Sequence, residues 1–329
     1  MAKVRWGILS TARIGIDKVI PGMQKGKYSE IAAIASRDGE KARAASQRLG
    51  IPKAYGSYDD LLADKEIQAI YNPLPNHLHV PLTLKALKAG KHVLCEKPLG
   101  VNLREVKNLQ KNLKNYPRLM VMEAFMYRFH PQWKKIRAMI DDGTIGKMSH
   151  LHSVFTYHNV NPADIRNQAD AGGGGLLDIG CYCISMSRFL FGSDPRRVCG
   201  SVEIDPRFKT DRLASGILVF EHGTASFSCA TQLAPSQRAE IFGNSGRIEI
   251  QFPFTPPLDQ STRVVVHKGS EKTEIEFEAC DQYTLQGESF SQAILNGTPA
   301  PKPLEDALAN MKVIDGIIGS SRKRAWVRL

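Results

Sequence analysis

The sequence predicts an α/β protein in two parts: a parallel sheet covered by helices on both faces, then a mostly antiparallel sheet. Three observations support this. The chain has 329 residues, which is more than one ordinary hydrophobic core accommodates. Its first third alternates short apolar runs with helical patterns, as parallel sheets require. From Arg197 to Glu278 the chain reads as successive strands without intervening helices, which is typical of an antiparallel sheet.

The individual elements follow from hydrophobic periodicity. The predicted strands of the first part are Lys3–Leu9, Glu30–Ala35, Ala69–Tyr71, His92–Cys95 and Leu119–Glu123. The pattern changes after Glu123, where helices over Pro131–Asp141 and Leu176–Leu190 flank a predicted strand at Ile145–Thr156. The sequence therefore predicts two domains, residues 1–124 and residues 125–329.

Composition excludes several classes of protein. No apolar run approaches the roughly 20 residues of a membrane helix, and the amino terminus lacks a signal-peptide pattern. Six cysteines without a C-x-x-C pair favour a reduced, cytoplasmic setting and argue against a zinc site, so no metal is expected. The net charge is +11, but the basic residues are spread along the chain, so a nucleic-acid partner is not expected.

A candidate phosphate-binding turn joins the first strand to the first helix. A dinucleotide site needs a tight turn, close backbone approach and a helix N-terminus aimed at the pyrophosphate. The usual G-x-G-x-x-G positions here read Ser10, Ala12 and Gly15, so only the last keeps glycine. An ordinary strand–helix turn would look similar. The predicted cofactor-binding residues of this turn are Ser10, Thr11, Ala12, Arg13 and Ile14.

The end of the second strand indicates which dinucleotide is bound. NAD sites usually place an acidic residue there for the ribose hydroxyls. This chain has Ser36 and Arg37 instead, and a guanidinium can bind a 2′-phosphate through a fork of donors. We therefore predict NADP as the cofactor, with NAD remaining possible. The alternative is a plain polar turn before a helix.

Four further motifs lie in a recognisable order. They are Tyr71–His79 with its P-N-x-x-H-like loop, Ala89–Leu99 with Glu96-Lys97-Pro98, Met122–Pro131, and the glycine run with its helix at Gly172–Tyr182. Together they resemble the Gfo/Idh/MocA oxidoreductases, a family that includes glucose–fructose oxidoreductase and inositol dehydrogenase. The resemblance covers nearly the whole chain. Ser10 and Ala12 depart from the family pattern, which bears on cofactor affinity rather than on the fold.

The resemblance implies an N-terminal Rossmann domain and a C-terminal α/β domain built on a large, open, mostly antiparallel sheet. Relatives often pair through that sheet, so a homodimer or homotetramer is expected. The Lys97–Pro98 peptide is commonly cis in such proteins. The further cofactor-binding residues that the resemblance implies are Pro73, Leu74, Asn76, His79, Glu96, Lys97, Arg166 and Tyr283. Arg166 and Tyr283 could equally be plain surface residues.

The catalytic residues follow from the chemistry of hydride transfer together with the resemblance. Oxidation of an alcohol carbon requires a group that removes the hydroxyl proton. Asp178 and Tyr182 lie four residues apart, which places them on one helix face. Tyr182 is predicted to transfer the proton, and Lys97 to bias its pKa and contact the substrate hydroxyl. Asp178 would orient the substrate or Lys97. The three are expected to meet over the nicotinamide.

These observations predict an NADP(H)-dependent oxidoreductase that acts on a hydroxyl-bearing carbon of a sugar, polyol or related cyclic diol. The alternative is a non-catalytic, nucleotide-binding regulator of the corepressor type on the same fold. Retention of Lys97, Asp178 and Tyr182 argues against the alternative. The sequence names neither the substrate nor the physiological direction of the reaction.

Overall fold

The computed structural model describes residues 2–329, which form two compact units. One unit comprises the residues up to Met126 together with Asp281–Leu308. The other comprises Tyr127–Cys280 and Ala309–Leu329. No helix among the described residues is long and apolar enough to cross a membrane.

The first unit contains a six-stranded sheet in which every neighbouring pair of strands is parallel. Its strands are β1 (Val4–Leu9), β2 (Ser29–Ala35), β3 (Lys53–Tyr55), β4 (Ala69–Asn72), β5 (His92–Cys95) and β6 (Val121–Glu123). They lie in the order β3-β2-β1-β4-β5-β6, which reverses direction between β1 and β4. In such sheets ligands bind beyond the carboxyl ends of the strands at this reversal.

Helices connect these strands. They are α1 (Ile20–Gln24), α2 (Gly39–Leu49), α3 (Tyr58–Ala63), α4 (His79–Lys88) and α5 (Leu103–Leu113). Side chains cap their first turns: Asp38 accepts from two amides of α2, and Asn102 accepts from the Glu105 amide of α5. A π-helical turn, Gly15–Val19, precedes α1.

The second unit is built on a nine-stranded sheet. Its strands are β7 (Met148–His158), β8 (Arg197–Ile204), β9 (Asp211–Phe220), β10 (Gly223–Ala230), β11 (Gln232–Gly243), β12 (Arg247–Ile250), β13 (Thr262–Lys268), β14 (Glu271–Phe277) and β15 (Val327–Arg328). Their order is β14-β13-β12-β11-β7-β10-β9-β8-β15. Every pair is antiparallel except β7 and β10, which are parallel. The predicted fold class is confirmed.

Two helices of this unit are α6 (Pro131–Asp141) and α7 (Cys181–Phe191). A second π-helical turn, Leu176–Gly180, leads into α7. Leu151 of β7 and Phe227 of β10 are buried on one face of the sheet, and α7 contacts both strands. The core of the second unit therefore lies between α7 and the middle of the sheet.

A late segment returns to the first unit. Helix α8 (Gln282–Asn296) lies there, and α9 (Leu304–Lys323) follows it. The Trp6 indole nitrogen donates to Ser291 Oγ at 3.0 Å, and the Trp6 ring packs 6.0 Å from that of Phe290. These buried contacts hold α8 against β1. From the sequence, this segment was predicted to belong to the domain of residues 125–329, and that division stays a prediction.

Candidate active site

The turn after β1 is closed without the first glycine of the dinucleotide pattern. Ser10 has a φ of +87°, in the left-handed region that favours glycine. Its amide donates to Ala35 O at 2.8 Å, and its hydroxyl accepts from the Ala12 amide at 3.1 Å. The serine side chain thus supplies a hydrogen bond that stabilises the turn. The small residues at these positions leave the backbone accessible to a ligand.

Ser36 and Arg37 follow β2, as the sequence predicted. Ser36 is buried, and its hydroxyl accepts from the Asp38 amide at 3.2 Å, which fixes the start of α2. Arg37 is exposed, on the chain after β2. Burial raises the pKa of Tyr58 on α3, and the positive charge of Arg37 opposes that rise. Ser36 is therefore structural in part, whereas Arg37 presents its charge to solvent.

A basic cavity of about 390 Å³ adjoins the turn. Its lining includes Thr11 and Arg13 of the turn and also Lys41 and Arg48 of α2. Asp17 accepts from both Arg13 at 3.3 Å and Arg48 at 3.2 Å. Lys41 and Arg48 were not among the residues predicted from the sequence. Their positions on the first and last turns of α2 were the available signal, because that helix begins directly after Ser36 and Arg37.

Glu96-Lys97-Pro98 lies at the carboxyl end of β5, and its Lys97–Pro98 peptide is cis. Glu96 Oε1 accepts from the Tyr71 hydroxyl at 2.7 Å, and Glu96 Oε2 accepts from the Lys97 amide at 3.3 Å. Burial is the larger cause, and the charge of the Glu96 carboxylate the second, of a raised pKa at both Tyr71 and Tyr283. Glu96 is thus bonded to the Tyr71 hydroxyl, and its charge also acts on Tyr283 of α8, in the same unit.

His79 is almost completely buried, at 1% exposure. Its Nδ1 lies 2.7 Å from Pro98 O, and its Nε2 lies 2.6 Å from Leu74 O. Burial lowers the pKa of His79 to about 4. The ring therefore connects the loop that contains Pro73, Leu74 and Asn76 with the segment that carries Lys97. Direct contact between His79 and a cofactor stays a prediction.

The glycine run of the second unit lets other groups approach its backbone closely. A Cβ at Gly173 would lie 2.4 Å from Arg166 O, and one at Gly174, where φ is +119°, would lie 2.0 Å from Asp211 Oδ1. Asp211 Oδ2 accepts from the Leu176 amide at 2.5 Å. Larger residues would displace these groups, so the run is required for Asp211 to anchor the start of the π-helical turn.

Asp178, within that turn, accepts hydrogen bonds from two side chains. The Tyr157 hydroxyl donates at 2.7 Å and Arg166 Nε at 2.9 Å. Asp178 raises the pKa of Arg166, and burial together with Asp178 raises that of Tyr157. The structure therefore joins Arg166, predicted as a cofactor residue, to Asp178, predicted as a catalytic one. Tyr157 was not among the residues predicted from the sequence.

Tyr182 lies four residues further on, at 5% exposure. Its ring packs against those of Tyr127, Phe155 and Phe254 at centroid distances of 5.7, 5.7 and 5.5 Å. Phe155 and Tyr157 are two residues apart on β7, so their side chains share one face of the strand. Because these two contact Tyr182 and Asp178 respectively, both helical residues face β7.

The predicted site residues thus divide between the units. The turn, Arg37, the two loops, Lys97 and Tyr283 belong to the first unit, whereas Arg166, Asp178 and Tyr182 belong to the second. Among residues 2–329, no group of three or more His, Cys, Asp or Glu side chains could hold a metal ion.

Both parts of the chain match models of known protein families. Residues 4–124 match the model described as an oxidoreductase family with an NAD-binding Rossmann fold. Residues 133–249 match the GFO/IDH/MocA C-terminal domain. The two matches occur in the same order as the two sheets.

Individual proteins are similar over nearly the full length. An uncharacterized oxidoreductase of Rhizobium meliloti is 44% identical, and the alignment covers 99% of each protein. A D-xylose 1-dehydrogenase (NADP(+)) of Haloferax volcanii is 35% identical over 98% of this chain and 99% of that one. A 3-ketoreductase from Actinomadura kijaniata, solved with NADP and TDP-benzene, has a TM-score of 0.92 at 30% identity and covers 97% and 98% of the two chains. Mutants of that ketoreductase with tyrosine changed to phenylalanine, or lysine to alanine, have also been solved.

Proposed function

Because the chain belongs to the Gfo/Idh/MocA oxidoreductase family, we propose that it transfers a hydride between NADP(H) and a hydroxyl-bearing carbon of a sugar-like substrate. The observation that carries the proposal is that the chain has both Lys97, after β5, and a helical segment that presents Asp178 and Tyr182 to β7. The xylose dehydrogenase and the ketoreductase, both similar over almost the whole chain, support NADP as cofactor and a sugar as substrate.

The first unit fits an anionic dinucleotide. The turn at Ser10–Ile14 carries small side chains where the backbone must approach the pyrophosphate, and Arg13, Lys41 and Arg48 line the adjacent cavity. Arg37 would hold the 2′-phosphate through its guanidinium, with Lys41 as a second cation. NADP would supply the hydride acceptor in oxidation, and its reduced form the hydride donor.

Tyr182 would transfer the proton of the reacting hydroxyl. A free phenol has a pKa of about 10, so it needs a nearby cation to act at neutral pH. Lys97 would provide that positive charge and donate a hydrogen bond to the substrate oxygen. Asp178 is held by Arg166 and Tyr157, so we assign it to orienting substrate hydroxyls as an acceptor rather than to proton transfer. The ketoreductase mutants alter these two residue types, tyrosine and lysine.

A substrate screen tests this proposal. Purified protein would be incubated with NADP and a panel of aldoses and polyols, and with NADPH and a panel of ketosugars, while NADPH absorbance is followed. We expect turnover with at least one sugar-like compound and none in a Lys97→Ala variant. Tight NADP binding without turnover of any compound would instead favour the corepressor-like function.

We also propose a homodimer through the second sheet. His150 bonds to Thr224 at 2.9 Å, and His152 to Ser226 at 2.9 Å, across β7 and β10. These side chains lie on the face opposite buried Leu151 and are only partly exposed, and Ile217 of β9 on the same face is 44% exposed. A flat, partly apolar surface of this kind can pair with itself about a twofold axis.

Light scattering coupled to size-exclusion chromatography tests the dimer. Ile217→Arg should place a charge in the interface and yield a monomer. Val160→Arg is the matched control, because Val160 is equally exposed, at 44%, but follows β7 outside the strands of the sheet. A monomeric parent, or an Ile217→Arg variant that stays dimeric, would refute the proposal. A tetrameric parent that Ile217→Arg reduces to a smaller species would support this face as one of two interfaces.

A further inference from the structure

The chain immediately after Lys97 is held at two consecutive residues by buried side chains from other elements. Pro98 O lies 2.7 Å from His79 Nδ1, at the start of α4. The Leu99 amide donates to Glu123 Oε1 at 2.9 Å, at the end of β6. These contacts are local to the first unit, and they restrain the backbone from which the Lys97 side chain extends.

Glu123 carries a charge in an almost fully buried place. Its side chain is 2% exposed, and its second oxygen accepts from Lys302 Nζ at 2.8 Å, whose side chain is 5% exposed. Lys302 also reaches Asp306 at 2.7 Å and lies 5.0 Å above the ring of Phe125. A buried carboxylate requires such a partner, since a lone charge in this environment would be strongly unfavourable.

A purely structural role does not explain the arrangement well. Replacing a buried ion pair by apolar residues of similar volume is often neutral or stabilising, so stability alone does not require the pair. What an apolar pair could not supply is an acceptor for the Leu99 amide. Glu123 divides its two oxygens between that amide and Lys302, which lies 179 positions after Glu123. One carboxylate therefore links the Lys97 segment to a residue that is distant in the chain.

We propose that Glu123, oriented by Lys302, is a positioning residue for Lys97. This inference rests on the proposed function, in which Lys97 acts at the reacting hydroxyl. Misplacement of a reacting group by about 1 Å can cost on the order of a hundredfold in rate. Loosening the Leu99 amide should therefore lower kcat, while cofactor affinity, which depends on the turn and Arg37, should change little.

Two double variants separate positioning from stability. Glu123→Met with Lys302→Met removes both charges of this pair and the acceptor, and leaves no buried ion at either position. Asp306 loses Lys302, but its side chain is 20% exposed and can be hydrated. Glu123→Gln with Lys302→Met removes the same charges but keeps an amide oxygen for the Leu99 N–H. We expect the Met pair to lose about ten- to a hundredfold in kcat. The Gln variant should remain within about threefold of the parent, and both should bind NADPH within about threefold of it.

Lys53→Met is the matched control. Lys53 forms an ion pair with Asp64 at 2.9 Å in the same unit, and Asp64 is nearly as buried, at 8% side-chain exposure. Neither residue contacts the Lys97 segment in the hydrogen bonds or ion pairs of the described residues. Loss of the Lys53–Asp64 ion pair should lower the melting temperature without changing kcat.

The outcomes are distinct. Equal kcat in the two double variants overturns the inference, even if both have a lower melting temperature than the parent. Should the Met pair not fold, Glu123→Asp keeps the charge but shortens the side chain by one methylene, and an unchanged kcat there overturns it as well. If instead Lys97→Ala has parental kcat, the proposed function itself fails, irrespective of Glu123.

Discussion

Replacing Tyr182 by phenylalanine removes one oxygen atom and keeps an aromatic ring that is packed on three sides. The ring contacts Tyr127, Phe155 and Phe254 at 5.5–5.7 Å, so the packing contribution should be retained in full. What is lost is the group assigned to proton transfer. General acid–base catalysis is typically worth about 10²–10⁴-fold, or roughly 3–5 kcal/mol of barrier. We expect a loss of kcat in that range with little change in thermal stability.

The assay is steady-state NADPH formation with the best substrate of the screen, combined with direct titration of NADPH binding. Tyr127→Phe is the matched control, because Tyr127 lies in the same aromatic cluster and its hydroxyl donates to Ser185 Oγ at 2.8 Å. That variant should lose about 1 kcal/mol of stability from one hydrogen bond and keep its turnover.

Two results would refute the reasoning. If Tyr182→Phe keeps kcat within a few-fold of the parent, another group carries the proton, and Lys97 becomes the first candidate. If Tyr182→Phe and Tyr127→Phe lose activity to the same extent, the effect reflects the aromatic cluster rather than the phenol. A loss confined to Tyr182→Phe, with NADPH affinity unchanged, is the expected result.

Three further predictions concern the two sides of the site. Arg37→Ala should weaken NADP binding by about one to two decades and spare NAD, as expected for a charged hydrogen bond of roughly 1.5–3 kcal/mol, and equal losses would contradict it. Ser10→Gly should be more stable than Ser10→Ala in thermal unfolding by about 1 kcal/mol. The φ of +87° at this position is sterically unfavourable for alanine, which has a Cβ, but not for glycine. Equal stabilities would show that the backbone of the turn changes conformation in the alanine variant. Burial raises the pKa of Asp211 to about 6, so its ionisation costs the folded state stability as pH rises from about 4 to 6. Asp211→Asn should therefore gain stability relative to the parent across that range, by up to about 3 kcal/mol, and a pH-independent difference would contradict the raised pKa.

Much of the fold could be predicted because local pattern and tertiary structure agree. The runs His92–Cys95 and Pro131–Asp141 were predicted with the bounds that the structure shows. The short strand at Lys53–Tyr55 was missed, since three partly exposed residues carry no periodicity. The parallel pairing of β7 with β10 was also beyond sequence reasoning, because strand neighbours in a sheet depend on long-range contacts.

The candidate site was predicted unevenly for a similar reason. Motif residues such as Lys97, Asp178 and Tyr182 could be identified because their spacing along the chain is local. Tyr157 could not, since it meets Asp178 across 21 residues from the strand beneath the helix. Arg166 was assigned to the cofactor, which stays a prediction, and the structure shows its guanidinium bonded to Asp178. Such partners become visible only when strand and helix are brought together.

The two π-helical turns show how backbone irregularity serves the site. Gly15–Val19 follows the cofactor turn, and Leu176–Gly180 carries Asp178 into α7. π-helical turns are rare and concentrate at functional sites. In the second turn, a Cβ at Gly180 would lie 2.8 Å from Cys229 Sγ, so the π-helical turn packs closely against β10. That contact, with Asp211 at the other end of the turn, fixes the helix at both ends of the segment that bears Asp178. The carboxylate can then meet Tyr157 and Arg166 while Tyr182, one turn later, still faces the same strand.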